Sequence, residues 1–398
     1  MPRSLWLLVI GTIINVTASS FLWPLNTIYI HDQLGKSLTV AGFVLMLNAG
    51  ASVVGNLAGG VLFDKIGGYK SILTGIIITT LALAGLIFNH EWPAYIVFLT
   101  IIGFGTGIVF PATYAMAGTV WPEGGRKAFN AVYVAQNFGV ALGSALGGIV
   151  ASYSFELIFI ANGLLYAVFY LVVFFGFRNI AGETINPAAV IQSSVPEKSR
   201  SKLFALSFIA SGYLLCWVAY VQWQSTIAAH TQNLHISLSQ YSLLWTINGA
   251  LIVLAQPLVS WFVKFAAKTL KHQMVIGIVI FIISFIAAAQ ASEFTGFLVA
   301  MVILTFGEML VWPAVPTIAN SLAPKGREGF YQGFINSNAT GGRMIGPLLG
   351  GMLADYFNMT VLFGVLIGLL IAGMVFTFLC DKHLKKGKED AKSIAVGS

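Results

Sequence analysis

The sequence predicts an all-α membrane protein whose twelve transmembrane helices form two six-helix bundles. Three observations predict it: apolar runs that follow one another almost end to end, basic residues confined to one side, and an internal duplication. Of 398 residues, 57% are hydrophobic and only 9% charged, whereas an average soluble domain is about 25% charged. Mean hydropathy is +0.85. The runs are long enough to cross a hydrocarbon core about 30 Å thick as helices. The alternating pattern of a membrane barrel does not appear, so helices, which pair their own backbone groups, are the spanning form.

The spans fall at approximately 4–30, 38–63, 70–89, 94–120, 128–152, 155–177, 203–229, 238–263, 273–292, 295–320, 329–353 and 356–380. The first run, Leu5 to Ile30, exceeds the apolar region of a signal peptide and shows no small-residue cleavage site, so it reads as the first helix. With the N-terminus inside, Arg3, Lys65, Lys70, Arg126, Lys127, Arg178, Lys198, Arg200, Lys202, Lys264, Lys268, Lys271, Lys325, Arg327 and the five tail lysines from Lys382 to Lys392 all fall on the cytoplasmic side. Only Lys36 falls outside, and Arg343 lies within a span. This asymmetry predicts a multi-pass protein with both termini in the cytoplasm; a bacterial cytoplasmic membrane is the expected location. The formal charge of +7 is then a topology device rather than a nucleic-acid patch. Cys216 and Cys380 lie in different spans near opposite faces, which excludes a disulfide framework or a metal cluster.

The polar stretch Arg178 to Lys202, rich in Pro, Ser and charge, reads as a linker. It divides the chain into an N-terminal bundle (1–178), a cytoplasmic linker (179–202), a C-terminal bundle (203–380) and a basic tail (381–398). The halves are related: "FGTGIVFPA" at Phe104 to Ala112 matches "FGEMLVWPA" at Phe306 to Ala314, an offset of 202, and Pro122 and Pro324 keep that offset. "GVALGSALGG" at Gly139 to Gly148 matches "GRMIGPLLGG" at Gly342 to Gly351, an offset of 203. Two matches at nearly one spacing, on equivalent helices, indicate a duplication of a parallel six-helix unit.

Between spans 2 and 3, "GGVLFDKIGGYK" carries Gly60, Asp64, Lys65, Gly67 and Lys70. A glycine lets helices approach, an acid sits at a helix end, and two bases hold the turn inside. A plain charged turn would satisfy the same topology rule. Together with twelve spans and the duplication, this loop resembles the signature loop of the major facilitator superfamily, and the resemblance covers essentially the whole chain. Within that superfamily the two glycine-rich segments resemble the antiporter motif. Gly342, Gly346, Pro347, Gly350 and Gly351 form a complete copy, while Gly139, Gly143, Gly147 and Gly148 have Ser144 in place of Pro. Ordinary small-residue packing is the alternative reading. The resemblance points to the drug:proton antiporter branch. One departure is that such exporters carry an Arg on helix 4, where "FLTIIGFGTG" is apolar here, Leu99 and Ile101 included.

Glu308 and Arg343 are the only charges well inside spans. At ~1.5 Å per residue, Glu308 lies about 20 Å from Thr295 and about 25 Å from Lys325, near the midplane. A charge there costs roughly 2.5–3.5 kcal/mol unless it faces a cavity or a partner. They read as a proton-coupling pair, with a fixed structural ion pair between spans 10 and 11 as the alternative. The repeat aligns Glu308 with Thr106 and Arg343 with Val140, so neither charge belongs to the duplicated scaffold. Asn15, Asn26, Tyr29, Asn48, Tyr220, Gln222, Gln224, Asn248, Gln256 and Trp312 are candidate cavity residues. Aromatic faces beside one acid suit a lipophilic cation, although many such aromatics serve packing or the interface.

No phosphate-binding loop is present: the "GKS" at Gly35 to Ser37 has Ile30 where the first Gly belongs. No catalytic constellation or metal spacing appears, and no cofactor or enzymatic activity is expected. The expected partners are a small-molecule substrate, protons and the lipid bilayer, with the monomer as the functional unit. The expected function is proton-coupled efflux by alternating access. A proton-coupled nutrient importer and a lipid flippase remain as alternatives on the same fold.

Overall fold

A chain this apolar must satisfy its backbone polar groups internally, and the computed structural model shows how. It describes residues 1–22, 26, 29–36, 38–151, 153–178, 200–267 and 269–396. Among these residues there is no strand, and helices α1 to α14 are described. They are α1 Arg3–Leu22, α2 Leu38–Ile66, α3 Gly68–Phe88, α4 Ala94–Val120, α5 Arg126–Ala151, α6 Phe155–Val172, α7 Arg200–Tyr220, α8 Thr226–Asn233, α9 Leu238–Leu254, α10 Gln256–Ala266, α11 Leu270–Gln290, α12 Phe294–Leu322, α13 Glu328–Tyr356 and α14 Met359–Val396. The expected linker lies, apart from residues 200–202, outside the described residues.

Among the described residues nine helices are long and apolar enough to cross a membrane, and a bent pair makes a tenth. That pair is α9 and α10, which meet at 62°. Pro257, in the first turn of α10, has no N–H to give the preceding turn. The two remaining spans are α5 and α13, the glycine-rich repeat partners. α13 is diluted by Asn, Gln, Ser and charged residues. Twelve spans result, as the sequence predicts, with span 7 made of α7 and α8 joined by a 3-10 turn at Val221–Gln224.

The chain divides into two compact units, Met1–Pro196 with Pro324–Thr340, and Glu197–Ala323 with Gly341–Ser398. The first packs α1 against α5 and α6, and α4 against α2 and α3. It also holds the start of α13, where the Asp64 carboxylate accepts from the N–H groups of Gly329 (2.7 Å) and Phe330 (2.9 Å). An acid at a helix N-terminus satisfies donors that have no partner within the helix. In the second unit α12 packs on α11 and α9, and α14 on α7 and α11.

The duplication extends to atomic packing. A Cβ on Gly75 of α3 would lie 2.7 Å from the Gly105 carbonyl and 2.7 Å from Val109 of α4. A Cβ on Gly277 of α11 would lie 3.1 Å from the Gly307 carbonyl and 2.5 Å from Val311 of α12. All three pairs keep the offset of 202. Each unit builds the same close crossing from the same positions.

Candidate functional site

The residues around Glu308 lie in the second unit. The acid is 2% exposed, midway along α12, and its Oε1 accepts from Asn248 Nδ2 at 2.9 Å. Asn248, on α9, also donates to Thr305 Oγ1 at 2.9 Å, and Thr305 donates to the Met301 carbonyl at 2.8 Å. Thr305 and Glu308 are three residues apart, so both lie on the helix face that meets α9. The repeat explains the asparagine. Asn48 stands 200 residues earlier, in matching sequence ("LNAG" against "INGA"), and donates to the Leu99 carbonyl of α4 at 2.7 Å. The asparagine belongs to the scaffold, and in the second unit it is directed at a carboxylate.

One turn beyond Glu308, Trp312 opens an aromatic cluster. Its ring stacks on Trp217 of α7 with centroids 4.6 Å apart and planes 5° from parallel. Tyr213 and Tyr220 of α7 and Phe281 of α11 pack on Trp312 at 5.4 Å, and Trp245 of α9 meets Tyr220 at 6.3 Å. Trp245 donates to the Tyr241 hydroxyl at 3.0 Å, and that hydroxyl donates to the Trp223 carbonyl. Several elements thus converge on one ring pair beside one acid. The sequence singled out Tyr220 and Trp312 but missed Trp245, Tyr213 and Phe281 as their neighbours. Aromatic content alone does not distinguish them from the other rings of a 13% aromatic chain.

Arg343 is exposed, and its Cζ lies 4.8 Å from the Trp217 ring centroid. Gly342 makes this possible: a Cβ there would sit 2.7 Å from both the Leu214 carbonyl and Trp217 Cβ. The α13 backbone therefore lies directly on α7, which sets the neighbouring guanidinium over the ring. The first unit repeats the crossing, with Gly139 at 2.9 Å from the Ile13 carbonyl and from Val16 Cβ, but without arginine or tryptophan. Glu308 is enclosed and Arg343 is not, so the two charges are not equally buried.

The other expected cavity residues fall into different settings. Gln222 is fully buried: Nε2 donates to the carbonyls of Val218 (3.0 Å) and Gly346 (2.7 Å), and Oε1 accepts from Thr226 at 2.9 Å. It pins α7 to the glycine face of α13 and offers no amide to a cavity. Asn26 accepts from Tyr95, and Tyr29 donates to the His90 carbonyl within a cluster of Tyr95, His90 and Phe159. Both are used in packing within the first unit. Asn15 is buried, with Oδ1 unpartnered among the described residues. Gln224 is exposed, and Gln256 donates to Ile252 across the α9–α10 bend at 3.0 Å. Pro347 is exposed on α13. Among the described residues no His, Cys, Asp or Glu cluster could hold a metal ion, and both cysteines are buried thiols outside any disulfide.

Comparison with known proteins adds family and fold. The family model of the Major Facilitator Superfamily matches twice, over residues 8–230 and 212–397. An uncharacterized MFS-type transporter of Bacillus subtilis, YttB, is 63% identical over the full length of both chains. A Na(+), Li(+), K(+)/H(+) antiporter of Planococcus maritimus is 25% identical, covering 96% of each chain. Multidrug resistance protein MdtH of Shigella dysenteriae is 22% identical, covering 88% of this chain and 86% of its own. Among solved structures, a bacterial homologue of the iron transporter ferroportin superposes with a TM-score of 0.79 at 14% identity, over 96% of this chain and all of that one.

Proposed function

This chain belongs to the Major Facilitator Superfamily of membrane transporters, and from that premise we propose that it exports lipophilic monovalent cations in exchange for protons. The observation that carries the reading is Glu308: a 2% exposed carboxylate held by Asn248 and standing one helical turn from the Trp217–Trp312 stack. Aromatic faces attract a cation electrostatically, and a carboxylate beside them supplies the counter-charge. A relative that bears a multidrug resistance name supports a drug-like substrate, and one that bears a cation/proton antiporter name supports exchange for protons.

In this reading a cation enters from the cytoplasm or inner leaflet while Glu308 is ionised. The six-helix halves, 1–178 and 203–380, alternate their access, and protonation of Glu308 releases the cation outside. The return step carries the proton in, and Arg343 takes part by offering an alternative positive charge. The halves are joined by the 179–202 linker, the monomer is the working unit, and both termini face the cytoplasm of a bacterial cell.

The test is proteoliposome efflux driven by an imposed pH gradient. Glu308→Gln is expected to abolish gradient-driven movement while leaving slow, gradient-independent exchange. Undiminished coupling in that variant overturns the assignment.

A further inference from the structure

Four positions break the repeat, and all four bear on the same place. Glu308 stands where the first unit has Thr106, Trp312 where it has Phe110, Trp217 where it has Val16, and Arg343 where it has Val140. The surrounding packing is retained: Gly342 and Gly346 contact Trp217, Val218 and Val221 as Gly139 and Gly143 contact Val16, Thr17 and Ser20. On a shared scaffold the second unit carries an acid, two stacked indoles and a guanidinium where the first carries Thr106, Phe110, Val16 and Val140.

The guanidinium is a planar monocation lying 4.8 Å from the centroid of Trp217, which is itself stacked on Trp312. That is the position an external cation would take on the same ring. We propose that Arg343 is an internal occupant of this cation site: a surrogate ligand that an incoming lipophilic monocation must displace from Trp217. The inference rests on the cation-export reading and deepens it by assigning Arg343 a role in selectivity.

Two consequences follow from chemistry. A guanidinium is planar, diffuse in charge and weakly hydrated, so it covers an indole better than an ammonium does. Only a ligand with a comparable low-hydration cation, such as a quaternary phosphonium, a quaternary ammonium or a delocalised aromatic cation, competes with it. Small, strongly hydrated ions do not. Arg343 also leaves the ring when the ligand arrives and brings its charge back when the ligand departs, so Trp217 is covered in both conditions.

The test measures binding in detergent at fixed pH, without any gradient, with tetraphenylphosphonium as the probe and intrinsic tryptophan fluorescence as the readout. Removing an internal competitor should tighten binding, so Arg343→Leu is expected to lower the Kd about threefold to tenfold. Arg343→Lys keeps the charge but covers the ring less well, and is expected to fall between Arg343→Leu and the wild type. Trp217→Leu should weaken binding in both the wild-type and Arg343→Leu backgrounds. Trp217→Phe, which keeps a ring, guards against loss of fold and should retain partial affinity. A probe that binds Arg343→Leu but not the wild type would support the proposal strongly. Unchanged or weaker binding in Arg343→Leu, with the Trp217 effect intact, overturns the proposal and leaves the export reading standing. Failure of the probe to bind any variant overturns both. Loss of pH coupling in Glu308→Gln is read separately, by transport.

Discussion

Asn248 and Glu308 form a contact whose counterpart in the other half is a different bond. Asn248 donates to the carboxylate at 2.9 Å, while Asn48, its repeat equivalent, donates to the Leu99 backbone carbonyl at 2.7 Å. One scaffold asparagine braces a helix and the other holds a buried charge. A hydrogen bond to a charged group is worth about 1.5–3 kcal/mol, against about 1 kcal/mol for a neutral one. Asn248→Ala is therefore expected to cost about 2 kcal/mol of stability and Asn48→Ala about 1 kcal/mol. The discriminating measurement is a double-mutant cycle by thermal unfolding in detergent. The Asn248→Ala penalty should shrink in a Glu308→Gln background, and an equal penalty in both backgrounds would rule out a charge-assisted contact.

The glycine face of α13 makes a second prediction with an internal control. A Cβ on Gly350 would lie 1.9 Å from Gln222 Oε1 and 2.5 Å from Thr226 Oγ1, whereas one on Gly351 would meet nothing within 4 Å. Gly350→Ala forces Gln222 from its contacts with Gly346 and Thr226, at about 1–3 kcal/mol. Gly351→Ala should be neutral or stabilising, because alanine is favoured over glycine within a helix by about 1 kcal/mol. Comparing the melting temperatures of the two variants decides it, and similar melting points would contradict the Gln222 clamp.

Asp64 supplies the third. Its two oxygens accept from Gly329 and Phe330, and a Cβ on Gly329 would lie 2.8 Å from Asp64 Oδ1. Asp64→Ala removes two charge-assisted bonds to α13 and should cost about 2 kcal/mol or more. Asp64→Asn, which keeps one acceptor, should cost less. Transport rate should fall in that same order while tetraphenylphosphonium affinity, read in the second unit, stays at the wild-type value. A change in affinity in parallel with rate would argue against a role confined to the first unit.

Stoichiometry supplies the fourth. Exchange of one proton for one monovalent cation moves no net charge. Steady-state accumulation should then follow the pH gradient alone and ignore an imposed potassium-diffusion potential. A steady state that shifts with voltage would require a different ratio of protons to substrate.

Much of this architecture is legible in the sequence because lipid leaves the chain few options. Unpaired backbone groups are so costly in hydrocarbon that apolar length alone locates most spans. The offset between "FGTGIVFPA" and "FGEMLVWPA" exposes the repeat, and Glu308 stands out as an acid where its counterpart is Thr106. The polar residues were harder to sort. Gln222 and Tyr220 share one short segment of span 7, yet Gln222 is pinned to Gly346 while Tyr220 packs on Trp312. Two residues along a helix differ by about 200° in direction, and composition does not say which neighbour lies each way. Asn26 and Tyr29 are expected at a cavity, and the structure places both against Tyr95.

By itself the sequence determined the membrane class, the twelve spans, the duplication and the presence of one acid deep within an apolar run, because hydropathy and internal offset are one-dimensional properties. Only the tertiary structure decided that Asn248 is turned toward that acid and that Trp217 stacks on Trp312. It also decided that Gly342 brings α13 close enough to set Arg343 over the ring. These contacts join α7, α9, α12 and α13, whose side chains meet only once close helix packing has fixed the rotation of each helix about its axis.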